Sequence, residues 1–284
     1  MEFKNKTAEL YIPDGKPETD AVKRTTHIAL SAHQDDIEIM AYHGVLECFG
    51  QIDKWFFGVT VTDGAGSARD NIYKNFTDDD MKRIRKNEQK KAAYVGEYGA
   101  MAMLNYTSSQ VKDAVNPDVI ADIKTLLLAT RPKVVYTHNL ADKHDTHVSV
   151  ALRTITALRS LPADAQPEKV LGCEVWRDLD WMIDSDKVAL NVQAHENLAA
   201  ALLGVFDSQI CGGKRYDLAT VGRRRAHATY HASHGVDDTT GLTFAMDLTP
   251  LVKDKNMDIT EYVNSYLSRF MSDVSTRVNK FAGK

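Results

Sequence analysis

The sequence of 284 residues contains little cysteine. Its three cysteines, Cys48, Cys173 and Cys211, lie far apart and form no CxxC pair. This pattern argues against a disulfide framework and against a cysteine-based metal site, and it favours a reducing compartment. We therefore expect a cytoplasmic protein.

Long apolar runs and an excess of positive charge are also missing. No stretch of about 18 apolar residues occurs, and no apolar run follows the charges of the N-terminus, so neither a membrane span nor a signal peptide is predicted. The formal net charge is −4 and the isoelectric point is about 6.2. We therefore expect no binding of nucleic acid or of an anionic membrane surface.

Short apolar runs alternate with amphipathic stretches along most of the chain. Strands are predicted near residues 28–32, 55–61, 101–104, 133–137, 169–175 and 242–246, and helices near 38–50, 78–96, 116–130, 146–160, 189–204 and 258–280. This alternation predicts an α/β fold with a mostly parallel sheet and helices on both faces. Because no linker composition divides the chain, we predict an N-terminal arm over residues 1–24 and a single domain over residues 25–284.

Two polar clusters follow predicted strands, where open parallel sheets bind their ligands. In the first, His33 and Asp36 can reach one cation while Asp35 faces the same pocket. The second cluster follows the fourth strand and consists of His138, Asn139, Asp142, His144 and His147. His144 and His147 are three apart and share one face of a helical turn. Together the clusters supply two imidazoles and a carboxylate and leave coordination positions open, as catalytic zinc requires.

The clusters and two segments between them resemble a known family. Residues 32–38, Ala-His-Gln-Asp-Asp-Ile-Glu, resemble the Ala-His-Pro-Asp-Asp-Glu signature of the PIG-L/LmbE-like de-N-acetylases, and residues 144–147, His-Asp-Thr-His, resemble their His-Pro-Asp-His signature. Residues 62–64 and 85–88 resemble the family's Thr-Asp-Gly and Arg-x-x-Glu segments. The similarity spans roughly residues 26–150.

This resemblance implies a Rossmann-like, zinc-dependent hydrolase. The substrate would be a small molecule, an amino sugar or sugar conjugate, from whose nitrogen an acyl group, most simply acetyl, is removed. The resemblance further implies that His33, Asp36 and His147 bind Zn²⁺ and that Asp35 is the general base. It implies that a protonated His144 stabilises the oxyanion and protonates the departing amine.

Further side chains are predicted to contact the substrate. Arg85 offers a fork of donors to a polar or anionic group, and Asn139, beside the metal cluster, can hydrogen-bond sugar hydroxyls. Asp63, in the Thr-Asp-Gly segment, is also predicted to contact the substrate. A second histidine-rich stretch, His227, His231 and His234, is interpreted as an ordinary polar loop in preference to a specificity loop or a second metal site.

The chain departs from the family signatures at three positions. Gln34 replaces the usual Pro and Ile37 shifts Glu38 by one position, which predicts a looser turn after His33. Thr146 stands where the family has Asp, so Asp145 or Asp142 is expected to support the histidines.

Other functions compete with this interpretation. One is a metal-containing sugar-binding protein without catalysis. Another is an Fe(II) oxidoreductase, since two histidines and a carboxylate also bind iron, although usually on a β-barrel. A dehydrogenase is disfavoured because the first strand-to-helix turn lacks a glycine fingerprint. A homo-oligomer is compatible with the sequence.

Overall fold

A computed structural model describes all of residues 1–284 and contains one sheet of eight strands. The strands are β1 (Glu9–Tyr11), β2 (His27–Ser31), β3 (Phe56–Thr62), β4 (Ala100–Tyr106), β5 (Val134–His138), β6 (Lys169–Cys173), β7 (Val188–Asn191) and β8 (Leu242–Asp247). Their order across the sheet is β1-β4-β3-β2-β5-β6-β8-β7. The five strands from β4 to β6 are parallel, whereas β1 and β8 run antiparallel to their neighbours.

Twelve α-helices connect and cover these strands. They are α1 (Glu18–Lys23), α2 (Asp36–Met40), α3 (Tyr42–Cys48), α4 (Asp78–Val95), α5 (Ser108–Lys112), α6 (Asp118–Thr130), α7 (Asp145–Arg159), α8 (Glu196–Gly204), α9 (Asp207–Ile210), α10 (Tyr216–Tyr230), α11 (Thr249–Lys253) and α12 (Ile259–Phe281). The predicted α/β class with a mostly parallel sheet is confirmed. None of the helices is both long and apolar enough to cross a membrane.

The sheet is buried on both faces. Alternate residues of β2 enter different hydrophobic clusters, because side chains of a strand point to opposite faces. Ile28 and Leu30 belong to a cluster of 34 buried residues that includes α6 and α7. Ala29 belongs to a cluster of 26 buried residues that includes α3 and α8. Helices therefore cover both faces, as the alternating sequence predicted.

The order of the central strands determines where a ligand site can form. From β2 the chain continues to β3 and β4 on one side, and then returns to β5 and β6 on the other side. The carboxyl ends of β2 and β5 therefore flank the point where the strand order reverses, which is the usual ligand site of open α/β sheets. Both polar clusters of the sequence follow these two strands.

The N-terminal segment, predicted as an arm, packs against the domain. β1 pairs with β4, and Ala21 and Val22 of α1 are buried. The backbone N–H groups of Lys4 and Asn5 donate to the buried carboxylate of Asp122. The segment thus extends the sheet at its edge.

Three predicted elements differ from the structure. The predicted helix 38–50 is divided between α2 and α3, and the predicted helix 189–204 begins with β7. The stretch that contains His227 and His231 was interpreted as a polar loop, but His227 lies in the last turn of α10 and His231 follows directly after the helix. The last two errors share a cause. β7 forms because it pairs with β8, and α10 packs on β8, and local sequence patterns do not indicate such contacts.

Candidate metal and catalytic site

The turn after β2 contains the first polar cluster. Asp35 stands directly before α2 and has a φ of 92°, a left-handed conformation that residues with a side chain rarely adopt. Its backbone N–H donates to Oε1 of Gln89 (3.4 Å), and the N–H of His33 donates to Oδ2 of Asp36 (2.7 Å). The turn therefore holds a strained residue where the general base is predicted, and such strain is concentrated at functional sites.

The second cluster lies between β5 and the first turn of α7. Oδ2 of Asp142 accepts a hydrogen bond from Nδ1 of His147 (3.0 Å), and Oδ1 accepts one from the backbone N–H of His144 (3.1 Å). The backbone N–H of Val175, which follows β6, also donates to Oδ2 (3.3 Å). Asp142 therefore orients the His147 ring and joins the loops after β5 and β6.

The two turns bring three potential metal ligands together. Nδ1 of His33 lies 3.2 Å from Oδ2 of Asp36 and 3.2 Å from Nε2 of His147. Nε2 of His147 lies 3.4 Å from Oδ2 of Asp36. Tetrahedral zinc ligands at bond lengths of about 2.0–2.2 Å are roughly 3.3–3.6 Å apart. The spacing of these three atoms, which we call the metal triad, therefore fits a zinc ion.

His138 lies beside the metal triad but is poorly suited to bind a metal. Its Nε2 is 3.3 Å from Oδ2 of Asp36, and its ring stacks on that of His147 with 3.9 Å between centroids. The backbone N–H of Ala32 donates to the same Nε2 (2.8 Å), so the lone pair that would bind a metal is already used. His138 therefore supports the triad from behind.

The adjacent carboxyl groups of Asp35 and Asp36 differ in acidity. Burial opposes the ionisation of Asp36, but the charges of His147 and His138 outweigh it and hold the pKa of Asp36 well below its usual range. Burial raises the pKa of Asp35 to about 7, an effect that Arg85 offsets only in part. Asp36 is thus suited to bind a cation, and Asp35 can exchange a proton near neutral pH.

The pKa values of the two histidines at the start of α7, His144 and His147, are shifted in opposite directions. Burial disfavours the charge of His147, but Asp36 and Asp142 outweigh it and raise the pKa of His147. Burial, together with the charges of His147 and His33, lowers the pKa of His144. The free protein therefore does not favour the protonated His144 that the sequence resemblance implied.

Arg85 of α4 supports the turn after β2. It is fully buried, and its guanidinium donates to the backbone carbonyl of Gln34. Nη2 lies 3.5 Å from Oδ1 of Asp35, and Nη1 lies 3.6 Å from Oε2 of Glu88. Arg85 also lines the cavity described below, so a contact with substrate stays a prediction.

The structure accounts for two of the three departures from the family signatures, those at Gln34 and Thr146. Gln34 is buried and its Nε2 donates to the backbone carbonyl of Thr62 (3.0 Å), which ties the turn to the end of β3. Thr146 is buried, Asp145 is exposed, and the carboxylate beside His147 is that of Asp142. The turn is therefore held in place despite the lost Pro, and Asp142 rather than Asp145 supports the histidine.

A cavity of about 340 Å³ contains the metal triad. Besides Asp35, Arg85 and His144, its wall includes residues that sequence reasoning missed, namely Lys112, Val175, Trp176 and Tyr216. The sequence did contain a signal that Trp176 lines the site, because Trp176 follows β6 just as the two polar clusters follow β2 and β5. The same signal applies to its neighbour Val175, whereas nothing in the local sequence marks Lys112 or Tyr216.

Two of the predicted substrate contacts do not line this cavity. Asn139 is fully buried; its Nδ2 donates to the carbonyl of Gly172 (3.2 Å), and its Oδ1 accepts from the N–H of Ala141 (2.8 Å). Its side chain is therefore hydrogen-bonded to β6 and to the turn after β5 and does not face the cavity, which speaks against the predicted contact with sugar hydroxyls. Asp63 accepts a hydrogen bond from the N–H of Ala65 and shapes the turn after β3.

The histidines of α10 lie apart from the cavity that contains the metal triad. His227 and His231 line a separate cavity, where Nε2 of His227 lies 2.8 Å from Oδ1 of Asp180. His234 is exposed in the turn after α10. None of the three contributes to the metal triad.

Comparison with known proteins places this site in a family. Residues 28–158 match the family model described as PIG-L: GlcNAc-PI de-N-acetylase. The resemblance predicted from the sequence motifs is thereby confirmed, and the matched PIG-L segment contains the metal triad, Asp35, Arg85 and His144. Comparison with curated protein sequences finds no match.

Several solved structures are similar to the chain. N,N'-diacetylchitobiose deacetylase from Pyrococcus horikoshii has a TM-score of 0.58 and 15% identity, with 82% of this chain and 88% of that chain covered. The A40926 pseudoaglycone deacetylase Dbv21 has a TM-score of 0.57 and 16% identity, with 79% and 97% covered. GalB, the 4-carboxy-2-hydroxymuconate hydratase from Pseudomonas putida KT2440, has a TM-score of 0.56 and 13% identity, with 78% and 95% covered. At these identities the likeness shows a shared fold, and proteins of this fold include both deacetylases and a hydratase.

Proposed function

We propose that the protein is a zinc-dependent amidohydrolase that removes an N-acyl group, most simply acetyl, from an amino sugar or sugar conjugate. The observation that carries the proposal is the metal triad, His33, Asp36 and His147, with Asp35 at its side in the same cavity. The PIG-L family description and two deacetylases among the structural neighbours support the choice of an N-acetyl substrate.

The donor set of the metal triad suits zinc. Two imidazole nitrogens and one carboxylate oxygen form a common catalytic zinc set that leaves room for water and substrate. A bound zinc ion would supply Lewis acidity, polarising the amide carbonyl and making water more acidic. The open, mostly parallel sheet is unlike the β-barrel on which iron oxygenases usually place these ligands, which favours hydrolysis over oxidation.

Asp35 and His144 divide the proton transfers in this proposal. Asp35, whose pKa is raised to about 7, accepts the proton of the attacking water. His144 lines the same cavity, and its Nδ1 has no hydrogen-bond partner in the protein. We assign to His144 a hydrogen bond to the carbonyl oxygen and, once the imidazole is protonated in the complex with substrate, the transfer of a proton to the departing amine. Arg85 holds the Asp35 carboxylate in place from behind.

The test combines metal content with acetate release. We expect near-stoichiometric zinc in the purified wild type and acetate release from N-acetylglucosamine or simple N-acetylglucosaminides. Asp35→Asn should keep the zinc and lower kcat by about 10²–10⁴-fold, because it removes the general base. Asp145→Asn, a change at an exposed carboxylate beside His144, is the matched control and should keep full activity.

Three results would count against the proposal. Iron in place of zinc would favour the oxidoreductase. Zinc with no acetate release from any N-acetyl compound would favour a binding protein without catalysis. Equal rates for the wild type and Asp35→Asn would exclude Asp35 as the base.

A further inference from the structure

The peptide group between Gln34 and Asp35 is held at both ends by side chains of α4. The guanidinium of Arg85 donates to the backbone carbonyl of Gln34, and Oε1 of Gln89 accepts the backbone N–H of Asp35 (3.4 Å). Arg85 and Gln89 are four residues apart and therefore lie on the same face of the helix. A left-handed residue such as Asp35 persists only where its surroundings hold it, and these two contacts do so.

Gln89 is part of a chain of buried hydrogen bonds. Its Nε2 donates to Oε1 of Glu38 (2.9 Å), and the same oxygen accepts the hydroxyl of Tyr98 (2.8 Å). All three side chains are buried. Because Oε1 of Glu38 accepts both hydrogen bonds, it fixes the NH₂ end of the Gln89 amide, and the amide oxygen is left to face the N–H of Asp35.

The third departure from the family signatures contributes to this chain of contacts. Ile37, which shifts Glu38 by one position, is fully buried among the 26 hydrophobic residues on one face of the sheet. Glu38 does not line the cavity that contains the metal triad. Gln89 directly follows residues 85–88, which resemble the Arg-x-x-Glu segment, and is not part of it. The contact between Glu38 and Gln89 therefore lies outside the signatures.

We propose that Gln89 is a positioning residue for the hydrolysis and that Glu38 fixes the orientation of its amide. The inference rests on the proposed function, because it concerns the geometry of Asp35 as the general base. Gln89 does not line the cavity, so it acts through the backbone of Asp35. A general base must lie within about 2.6–3.2 Å of the proton that it accepts, and a misplacement of about 1 Å can lower the rate by about 10²-fold.

The test is a double-mutant cycle between Gln89 and Asp35. Gln89→Met keeps the length of the side chain but removes both of its hydrogen bonds. We expect it to lower kcat for acetate release by about 10–100-fold, with KM within about threefold of the wild type and zinc content unchanged. In the Asp35→Asn background the same change should lower kcat by less than about twofold, because Gln89 acts through the Asp35 carboxylate.

Further variants separate positioning from a general loss of buried hydrogen bonds. Glu38→Gln keeps an oxygen that can accept from Gln89 and should retain most of kcat, whereas Glu38→Leu should resemble Gln89→Met. The Glu38 pair also provides the test if Gln89→Met does not fold. Tyr106→Phe is the control, because the buried Tyr106 hydroxyl donates to Asp122 (2.6 Å) and neither residue lines the cavity. It should lower stability in urea unfolding but keep kcat.

Crystal structures of the wild type and Gln89→Met give a readout besides activity. We expect the metal triad to stay in place and the Asp35 carboxylate to move. Equal kcat for the two proteins, or an equal loss in the Asp35→Asn background, overturns the inference and leaves the hydrolase intact. A displaced Asp35 in a protein whose wild type releases no acetate rejects the hydrolase but supports the hold of Gln89 on Asp35. An unmoved Asp35 without acetate release overturns both proposals.

Discussion

His147 donates a hydrogen bond from Nδ1 to Oδ2 of Asp142 (3.0 Å), while its other ring nitrogen belongs to the metal triad. The carboxylate therefore selects the tautomer whose Nε2 lone pair is free for a metal. Asp142 also accepts hydrogen bonds from backbone N–H groups of two loops, which fixes the position of its carboxylate. This relationship makes Asp142 the main orienting residue of the proposed site.

Replacement of Asp142 should weaken metal binding without removing a ligand. We expect Asp142→Asn to lower zinc affinity by about 10–100-fold, since residues that orient metal ligands typically contribute that much. The measurement is competition with a chelator of known affinity. Asp145→Asn should bind zinc like the wild type, and equal affinities for the two variants would contradict the role of Asp142.

Gly64, in the turn after β3, should not tolerate a side chain. It has a φ of +77°, and a Cβ there would lie 2.7 Å from Oε1 of Gln34 and 3.0 Å from Cβ of Arg85. Backbone strain and this overlap should make Gly64→Ala less stable by about 1–3 kcal/mol in urea unfolding. Gly66→Ala is the matched control, because nothing lies within 4 Å of its Cβ position. A similar stability for the two variants would refute this explanation.

Burial of His27 should contribute to the loss of stability in acid. Burial lowers the pKa of His27 to about 4, and the residue lies at the start of β2, away from the metal triad. In the unfolded chain the pKa is about 6.5, so as pH falls from about 6.5 to about 4 the unfolded state binds a proton that the folded state does not. The free energy of unfolding should therefore decrease by on the order of 3 kcal/mol over this window, with the contribution of His27 fully present above it.

Urea unfolding between about pH 7.5 and pH 4, in the presence of a chelator, tests the contribution of His27 over the window set by its shift. His27→Gln should lose less stability over this range than the wild type does. His234→Gln, a change at an exposed histidine, should follow the wild type. If the curve of His27→Gln runs parallel to that of the wild type, the effect belongs to other groups.

The sequence predicted the features that depend on local patterns well and those that depend on contacts between distant segments poorly. Buried parallel strands and long helices such as α4 and α7 were predicted within a few residues, because their apolar periodicity is local. The edge strand β7 was not, because it exists only by pairing with β8. Asn139 and Trp176 illustrate the same limit at the site. Asn139 follows β5, but its side chain is hydrogen-bonded to β6 and to its own turn, whereas Trp176 follows β6 and lines the cavity.

The sequence by itself determined the fold class, the family and the residues available for the proposed chemistry. Those properties depend on residue types at short spacings, such as His33 with Asp36 and His144 with His147. Only the tertiary structure decided that Asp142 orients His147 and that Gln34, in place of the usual Pro, holds its turn by a hydrogen bond to the end of β3. The position of Lys143 and Lys214 against the ring of Trp176 was likewise decided by the tertiary structure. Each of these depends on contacts between segments far apart in the chain, which form only when the strands take their order in the sheet.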